Sequence, residues 1–359
     1  MRSNNWWSIL RRRNSDRWTQ IFADQSRLNI FVSVFHLCES VATGMKHLLS
    51  IEQLSREEIE RILQRTAEVK TNRGKISAQP LAGQTWALIF SKPSTRTRVS
   101  FEVGIRELGG ETIYLNAADA QLGRGELIKD TARVLARMIH GAVIRTYAQS
   151  DIEEFAEFSG VPTINALTDD EHPCQILGDI FTIIEKRGPP SQASGAASKI
   201  DNMQEVFHKL VVAYVGDGVS NTARSWLFAA GKLGFELRIA SHKKYLPKKK
   251  VLARAGGSVT CTDDVATAAK GADVLYTDIW VSMGKEAEEA RRGAELGPYW
   301  INDSVVKLAK PEALVMHCLP AHRGQEIDEK TFENHAQTIF DQAENRLHVQ
   351  KAILVELAS

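Results

Sequence analysis

Residues 85–102 read TWALIFSKPSTRTRVSFE. The run from Thr85 to Phe90 is apolar almost without interruption and stops at Ser91-Lys92-Pro93. A short unbroken apolar run cut by a proline is the pattern of a strand buried on both faces. Past the proline the period changes: Phe101, Ile105 and Leu108 recur at helical spacing, and Gly109-Gly110 closes the run. Ser94 to Thr97 therefore fall where a strand passes into a helix N-terminus. Unpaired N–H groups and a partial positive charge make such a place favourable for phosphate. The hydroxyls of Ser94, Thr95 and Thr97 add donors, and Arg96 adds a planar fork that matches phosphate oxygens. A capped helix with exposed arginines accounts for the same letters, because Ser and Thr are also favoured caps. The stretch alone leaves both readings open.

The same alternation extends along the chain. Ser55 and Glu58 form a capping box before a helix with Ile59, Ile62 and Leu63 on one face. Ala142-Val143-Ile144 is a strand ending at Arg145, and VPTINALTDDEHPCQ (161–175) is a strand followed by a polar loop. A second block opens with LVVAYVGDGVSN (210–221) and a helical TARSWLFAAGKLG. Short apolar strand patterns follow in FELRIAS, SVTCTD, DVLYTDIW and ALVMHCLP. Strands alternating with helices predict an α/β protein with mainly parallel sheets flanked by helices. Two such domains are expected, residues 45–185 and 205–341. They are joined by a Pro/Gly/Ser-rich mobile insertion over 186–204 and followed by a C-terminal helix over 342–359. In open parallel sheets, sites lie beyond the carboxyl ends of the strands. Arg96, Arg145, His172, Asn221, Asp278 and Cys318 all follow strand ends in this reading.

Composition narrows the class of function. The 359 residues are 43% hydrophobic and 25% charged with a net charge of +1, so no global field draws in nucleic acid or an anionic membrane. No apolar run approaches the ~20 residues of a membrane span. The four cysteines (Cys38, Cys174, Cys261 and Cys318) form no C-x-x-C pair, which suits a reducing compartment. Residues 1–44 carry Arg2, Arg11, Arg12, Arg13, Arg17 and Arg27 and no lysine. That is transit-peptide composition, diluted by Asp16, Asp24 and Glu39. Two readings stay open: a segment outside the mature protein, whose natural start is Met45 in a cytoplasmic enzyme, or a transit peptide to the mitochondrial matrix.

Two rival chemistries need weighing. Gly216-x-Gly218 after a strand begins like a dinucleotide fingerprint, but the third glycine is missing and the next strand ends RIASHKK without an acid for a ribose. Lys243 and Lys244 would instead have to face a 2′-phosphate of NADP. His317, Cys318 and His322 suggest zinc, yet no further cluster completes four-coordination.

Together these stretches resemble the aspartate/ornithine carbamoyltransferase family, from about Lys46 to the C-terminus. STRTR and HPCQ are similar to the family's shared carbamoyl-phosphate motifs, and DIWVSMG (278–284) and HCLP (317–320) to the pair on its ornithine branch. The resemblance implies that Ser94, Thr95, Arg96 and Thr97 hold phosphate, with Arg346 of AENRLH at the phosphate side. It implies that Arg145 and the HPCQ residues His172, Pro173, Cys174 and Gln175 surround the carbamoyl end, with Cys318 and Leu319 from the HCLP turn. Gln121 in DAQLGRGE is similar to a residue that reaches the ligand from a neighbouring subunit, and a homotrimer or a multiple of trimers is implied. Asn221, Asp278, Ser282 and Met283 match the ornithine site. The implied reaction moves the carbamoyl group of carbamoyl phosphate to the δ-amine of L-ornithine, giving citrulline and phosphate, in arginine biosynthesis or its catabolic reverse. No metal or organic cofactor is implied. Cys318, paired with Asp278, is expected to orient or deprotonate the amine rather than act as a covalent nucleophile. Putrescine or acetylornithine as acceptor, and a non-catalytic phosphate-binding protein, are the alternatives. Two positions depart from the family pattern: Ser91, where glutamate is common, and Ser220, where the first of two asparagines is usual.

Overall fold

The computed structural model describes residues 45–75, 79–116, 125–188, 203–281 and 286–358. The first helix, α1 (Arg56–Thr71), starts at the expected capping box. The Ser55 hydroxyl accepts from the Glu58 N–H at 3.1 Å, and the Glu58 carboxylate accepts from the Ser55 N–H at 2.8 Å. Strand β1 (Thr85–Phe90) then leads into α2 (Thr95–Glu107), whose N-cap is Ser94. The first domain continues through β2 (Glu111–Asn116), α3 (Ile128–Leu135), β3 (Gly141–Arg145), α4 (Gln149–Ser159), β4 (Thr163–Leu167) and α5 (Pro173–Arg187). Its four strands are all parallel, in the order β2-β1-β3-β4. Strands β1 and β3 are buried almost throughout, which is why their sequences run apolar instead of alternating.

The second domain contains α6 (Met203–Lys209), β5 (Val211–Val215), α7 (Asn221–Leu233), β6 (Glu236–Ala240), α8 (Lys249–Ala255), β7 (Val259–Thr262) and α9 (Val265–Ala269). It ends with β8 (Val274–Thr277), α10 (Glu289–Leu296), α11 (Asp303–Val306) and β9 (Leu314–His317). Its five parallel strands run in the order β7-β6-β5-β8-β9. Each sheet thus has a switch point, between β1 and β3 in one and between β5 and β8 in the other. Crevices at such points are where open α/β sheets take ligands.

Two helices tie the sheets together. Helix α5 packs on β4 and on α7, and is buried at every position from Pro173 to Ile184. The last helix, α12 (Glu329–Ala358), packs on α1, α2, α5 and β9. One continuous apolar core, including Trp86, Phe101, Phe181, Trp226 and Ile353, therefore runs through both domains. Helix α12 begins well before the expected 342. Asp328 caps it, accepting from the Thr331 N–H at 3.0 Å, and Phe332, Ala336 and Ile339 carry its apolar face at helical spacing, a signal that the expected start at 342 leaves out. Of the expected insertion, residues 189–202 lie outside the described residues. Residues 186–187 close α5, and 203–204 open α6. No helix among the described residues is long and apolar enough to cross a membrane.

Candidate active site

The strand ends of both sheets converge on a cleft of about 310 Å³. From the first domain, the β1–α2 turn brings Lys92, Ser94, Thr95, Arg96 and Thr97, the end of β3 brings Arg145, and the start of α5 brings His172 and Gln175. From the second, the β5–α7 turn brings Ser220 and Asn221, the β8 end Asp278, the β9 end Cys318 and Leu319, and α12 brings Arg346. The volume suits small molecules.

One wall of the cleft is cationic. Arg145 is pushed down to about 10, chiefly by burial, with the charges of Arg346 and Arg96 adding to it. Arg346 is held below the usual range by its own burial, and its guanidinium donates to the Thr97 hydroxyl at 2.7 Å. That hydroxyl also receives a bond from Ser94 at 2.9 Å, so the N-cap of α2 and the late arginine share one network. Three guanidiniums crowded at a helix N-terminus repel one another, and a bound dianion would relieve that repulsion. His172, at the N-cap of α5, is held well below the usual histidine range by burial and by Arg346 and Arg145. It is therefore a neutral imidazole at physiological pH. Its Nδ1 and the Gln175 Oε1 are buried without a partner among the described residues.

The opposite wall is acidic and thiol-bearing. The Cys318 Sγ donates to the Asp278 Oδ1 at 2.8 Å, and the Ile279 N–H donates to the same oxygen at 2.7 Å. Burial, with the charge of Asp278, pushes the Cys318 thiol well above its usual range, so it is protonated. The HCLP turn is pinned by its own His317 and by Glu326, which the sequence did not bring forward. His317 Nδ1 accepts from the Leu319 N–H at 2.9 Å, and its Nε2 meets buried Glu326 at 3.0 Å. Glu326 also accepts from the His322 N–H at 2.6 Å. Both His317 nitrogens are thus engaged within the protein. Leu319 is held at φ 57°, a left-handed conformation that costs a non-glycine residue on the order of 1–2 kcal/mol.

The dinucleotide rival is not favoured. Gly216 takes φ 133°, so a turn demands this glycine. Where a pyrophosphate would sit, the Asp217 carboxylate accepts from the Val219 N–H at 3.1 Å and pairs with Arg292 at 2.6 Å. Lys243 pairs with Asp263 at 3.2 Å and Lys244 with Glu295, so both lysines are engaged.

Most of the expected site residues line the cleft together. Pro173 and Cys174 do not. The Cys174 thiol turns toward β4, donating to the Asn165 carbonyl at 3.4 Å, and burial pushes it up to about 12. A first-turn residue one position from Gln175 faces away from Gln175's side of the helix. Gln121, Ser282 and Met283 lie outside the described residues. Asn221 reaches the cleft, where its amide donates to the Thr168 carbonyl at 2.6 Å and bridges the two domains. Ser220 caps α7 through the Ala223 N–H at 3.1 Å and bonds the Tyr214 hydroxyl at 2.9 Å, so its hydroxyl has structural work of its own. Sequence reading passed over Lys92, which is buried, paired with Asp169 and placed 4.3 Å from the Tyr147 ring centre. It also passed over Glu171, which accepts from the Ile51 N–H at 2.8 Å and the Ser225 hydroxyl at 3.1 Å. Ser225 in turn receives the His172 N–H at 2.9 Å, so Glu171 buttresses the histidine's backbone.

Known proteins share this fold. The model for the aspartate/ornithine carbamoyltransferase carbamoyl-P binding domain matches residues 46–185, and that for the Asp/Orn binding domain matches residues 208–357. An ornithine carbamoyltransferase of Akkermansia muciniphila is 52% identical over 315 residues, covering 88% of this chain and 98% of that one. The anabolic ornithine carbamoyltransferase of Campylobacter jejuni superposes with a TM-score of 0.78 at 39% identity, covering 87% of this chain and 99% of its own. The enzyme of Pyrococcus furiosus gives 0.77 at 42% identity, with 88% and 97% covered. Two matched domains, in order and over most of the chain, together with the cleft between their strand ends, place this chain in the aspartate/ornithine carbamoyltransferase family.

Proposed function

We propose that the protein transfers the carbamoyl group of carbamoyl phosphate to the δ-amine of L-ornithine, releasing citrulline and phosphate. The observation that carries this reading is the meeting, in one cleft, of a three-arginine wall with the Asp278–Cys318 pair. Arg96, Arg346 and the α2 N-terminus hold the phosphate. Arg145 and neutral His172 face the carbamoyl carbonyl and stabilise the negative charge that grows on its oxygen. Asp278 receives the amine and holds it against the carbonyl carbon, which removes most of the entropic cost of the encounter. The nitrogen must arrive neutral, although an alkyl amine in water titrates near 10, about as lysine does. The C–N bond forms, the C–O bond to phosphate breaks, and Asp278 accepts the proton shed by the amine. Because its thiol is protonated, Cys318 orients Asp278 rather than acting as the base.

The test is an acceptor panel of ornithine, putrescine, acetylornithine and aspartate, each supplied with carbamoyl phosphate. Ornithine is expected to be the preferred acceptor by at least about a hundredfold in kcat/KM, because a missing charged head group leaves buried partners unpaired. Preference for any other amine would overturn the assignment.

The functional unit in this reading is a homotrimer whose sites combine Arg96 of one subunit with Gln121 of the next. Large apolar side chains left exposed on and beside α2, β2 and α3 (Val99, Ile113, Leu127, Val134 and Met138) support such an interface. Arg96→Ala and Gln121→Ala variants, each poorly active, are expected to regain activity when unfolded and refolded together. About one site in four should be intact in a random closed ring. No recovery in oligomers shown by mass to contain both chains would mean that each site is built within one subunit.

A chain beginning at Met45 is expected to fold and to keep full activity. Among the described residues the core already includes Met45 and Leu48, and the Leu48 N–H donates to the Thr163 carbonyl at 2.9 Å. Insolubility or lost turnover of that truncated chain would give residues 1–44 a part in the enzyme.

A further inference from the structure

Asp179 lies one turn beyond Gln175 on α5 and is fully buried. Its carboxylate receives three donors: the Gln175 Nε2–H at 2.8 Å, the Gln342 Nε2–H at 2.7 Å and the Tyr276 O–H at 2.8 Å. An ionised carboxylate can only accept. The Gln175 amide must therefore turn its NH2 toward Asp179 and its oxygen the other way. That oxygen is buried without a partner among the described residues, and Gln175 lines the cleft. A buried acceptor left open in a binding cleft is matched by a donor on the ligand.

We propose that Asp179 is a positioning residue that fixes the Gln175 amide with its oxygen toward the cleft, so that the site selects a ligand whose reacting end carries an N–H donor. The inference rests on the carbamoyl-phosphate reading, in which that donor is the carbamoyl NH2. Asp179 also reaches the acceptor half of the site. The Gln342 Oε1 accepts from the His317 N–H at 3.0 Å, next to Cys318, and Tyr276 stands two residues before Asp278. One carboxylate therefore sets the carbamoyl end and braces both strand ends that carry the amine's partners.

Holding this charge opposes folding. Burial raises Asp179 to about 7 despite its three donors. A carboxyl raised in the folded state binds its proton more tightly there, so stability falls as pH rises from the usual carboxylate range to about 7. Neutral asparagine keeps an acceptor for the two glutamines and offers its NH2 to the Tyr276 oxygen. At pH 8 it should hold the fold at least as well.

The experiment measures the KM for carbamoyl phosphate, inhibition by inorganic phosphate, and Tm at pH 8. Asp179→Ala is expected to raise the KM about tenfold, the worth of one well-placed buried hydrogen bond, and to leave phosphate inhibition within about twofold. In a Gln175→Ala background it should add less than about twofold, because the group it orients is gone. Asp179→Asn should stay within about threefold of wild type, with no loss of Tm. Multiplying losses in the double variant, or equal weakening of carbamoyl phosphate and phosphate, would overturn the proposal. If alanine does not fold, Asp179→Ser serves in its place. The asparagine arm is decisive by itself: a tenfold loss for both ligands, or a Tm lowered by several degrees, means a merely structural residue. A wild-type protein inactive with every amine would instead sink the functional reading, so the two failures are distinguishable.

Discussion

Arg96→Ala is expected to lower kcat/KM for carbamoyl phosphate by about 10²–10³-fold, the usual consequence of deleting one charge-stabilising donor from a reacting centre. Arg96 stands in the first turn of α2, where the helix N-terminus already favours an anion, and it lines the cleft with Arg145 and Arg346. The charges of Arg96 and Arg346 help to depress Arg145, which shows that the three share one field. Removing Arg96 therefore weakens the grip on the departing phosphate while relieving like-charge repulsion in the empty protein. Its side chain is exposed, so alanine leaves no core cavity, and Tm should be unchanged or slightly raised. Arg96→Lys should recover only part of the loss, because an ammonium is a point charge without the planar fork. Steady-state kinetics with both substrates varied, beside thermal unfolding of each variant, makes the comparison. Near wild-type KM and turnover in the alanine variant would remove Arg96 from the phosphate site.

Asp278→Asn is expected to raise the KM for ornithine about 30- to 100-fold and to lower kcat, since the proton acceptor is gone, while the KM for carbamoyl phosphate changes by no more than about threefold. Hydrogen bonds to a charged partner are worth about 1.5–3 kcal/mol, and this substitution deletes the charge while keeping the shape. Asp278 is buried at the β8 end, where its Oδ1 takes the Ile279 N–H and the Cys318 thiol. Asparagine's carbonyl oxygen can keep both bonds, so the turn should survive. The Cys318 thiol, raised by burial and then by Asp278, should titrate lower in the variant, because one of its two leading causes is gone. A thiol-reactivity profile against pH reads that change independently of turnover. Equal rises in KM for both substrates would mark Asp278 as a general structural residue.

Much of this was legible in the letters because the physics is local. Parallel strands buried on both faces must be apolar throughout, so β1, β3, β5 and β8 announce themselves, and the polar residues just past them fall at the carboxyl ends. The capping box at Ser55 is equally local. What stayed hidden depends on tertiary partners. Asp179 and Glu171 carry no signal of their own in the sequence, yet the fold buries both and gives each a backbone or side chain to hold. Nothing near Glu326 in the chain says that it will clamp His317 and the HCLP turn. Cys174 lies off the cleft for a reason that helical spacing does show. His172, Gln175 and Asp179 follow one face of α5, and a residue one position from Gln175 cannot share it. The early start of α12 was also legible, since Phe332, Ala336 and Ile339 keep helical spacing behind the Asp328 cap.

The most direct measurement supplies carbamoyl phosphate labelled at its carbon, with ornithine, and follows label and phosphate together. The site described here predicts label in the ureido carbon of citrulline, one phosphate released per citrulline, and no phosphate release above the solvent rate when ornithine is left out. Phosphate release without ornithine, with the label lost as carbon dioxide, would contradict the account. It would mean that the three-arginine wall binds and breaks the donor while the Asp278–Cys318 side of the cleft accepts no amine.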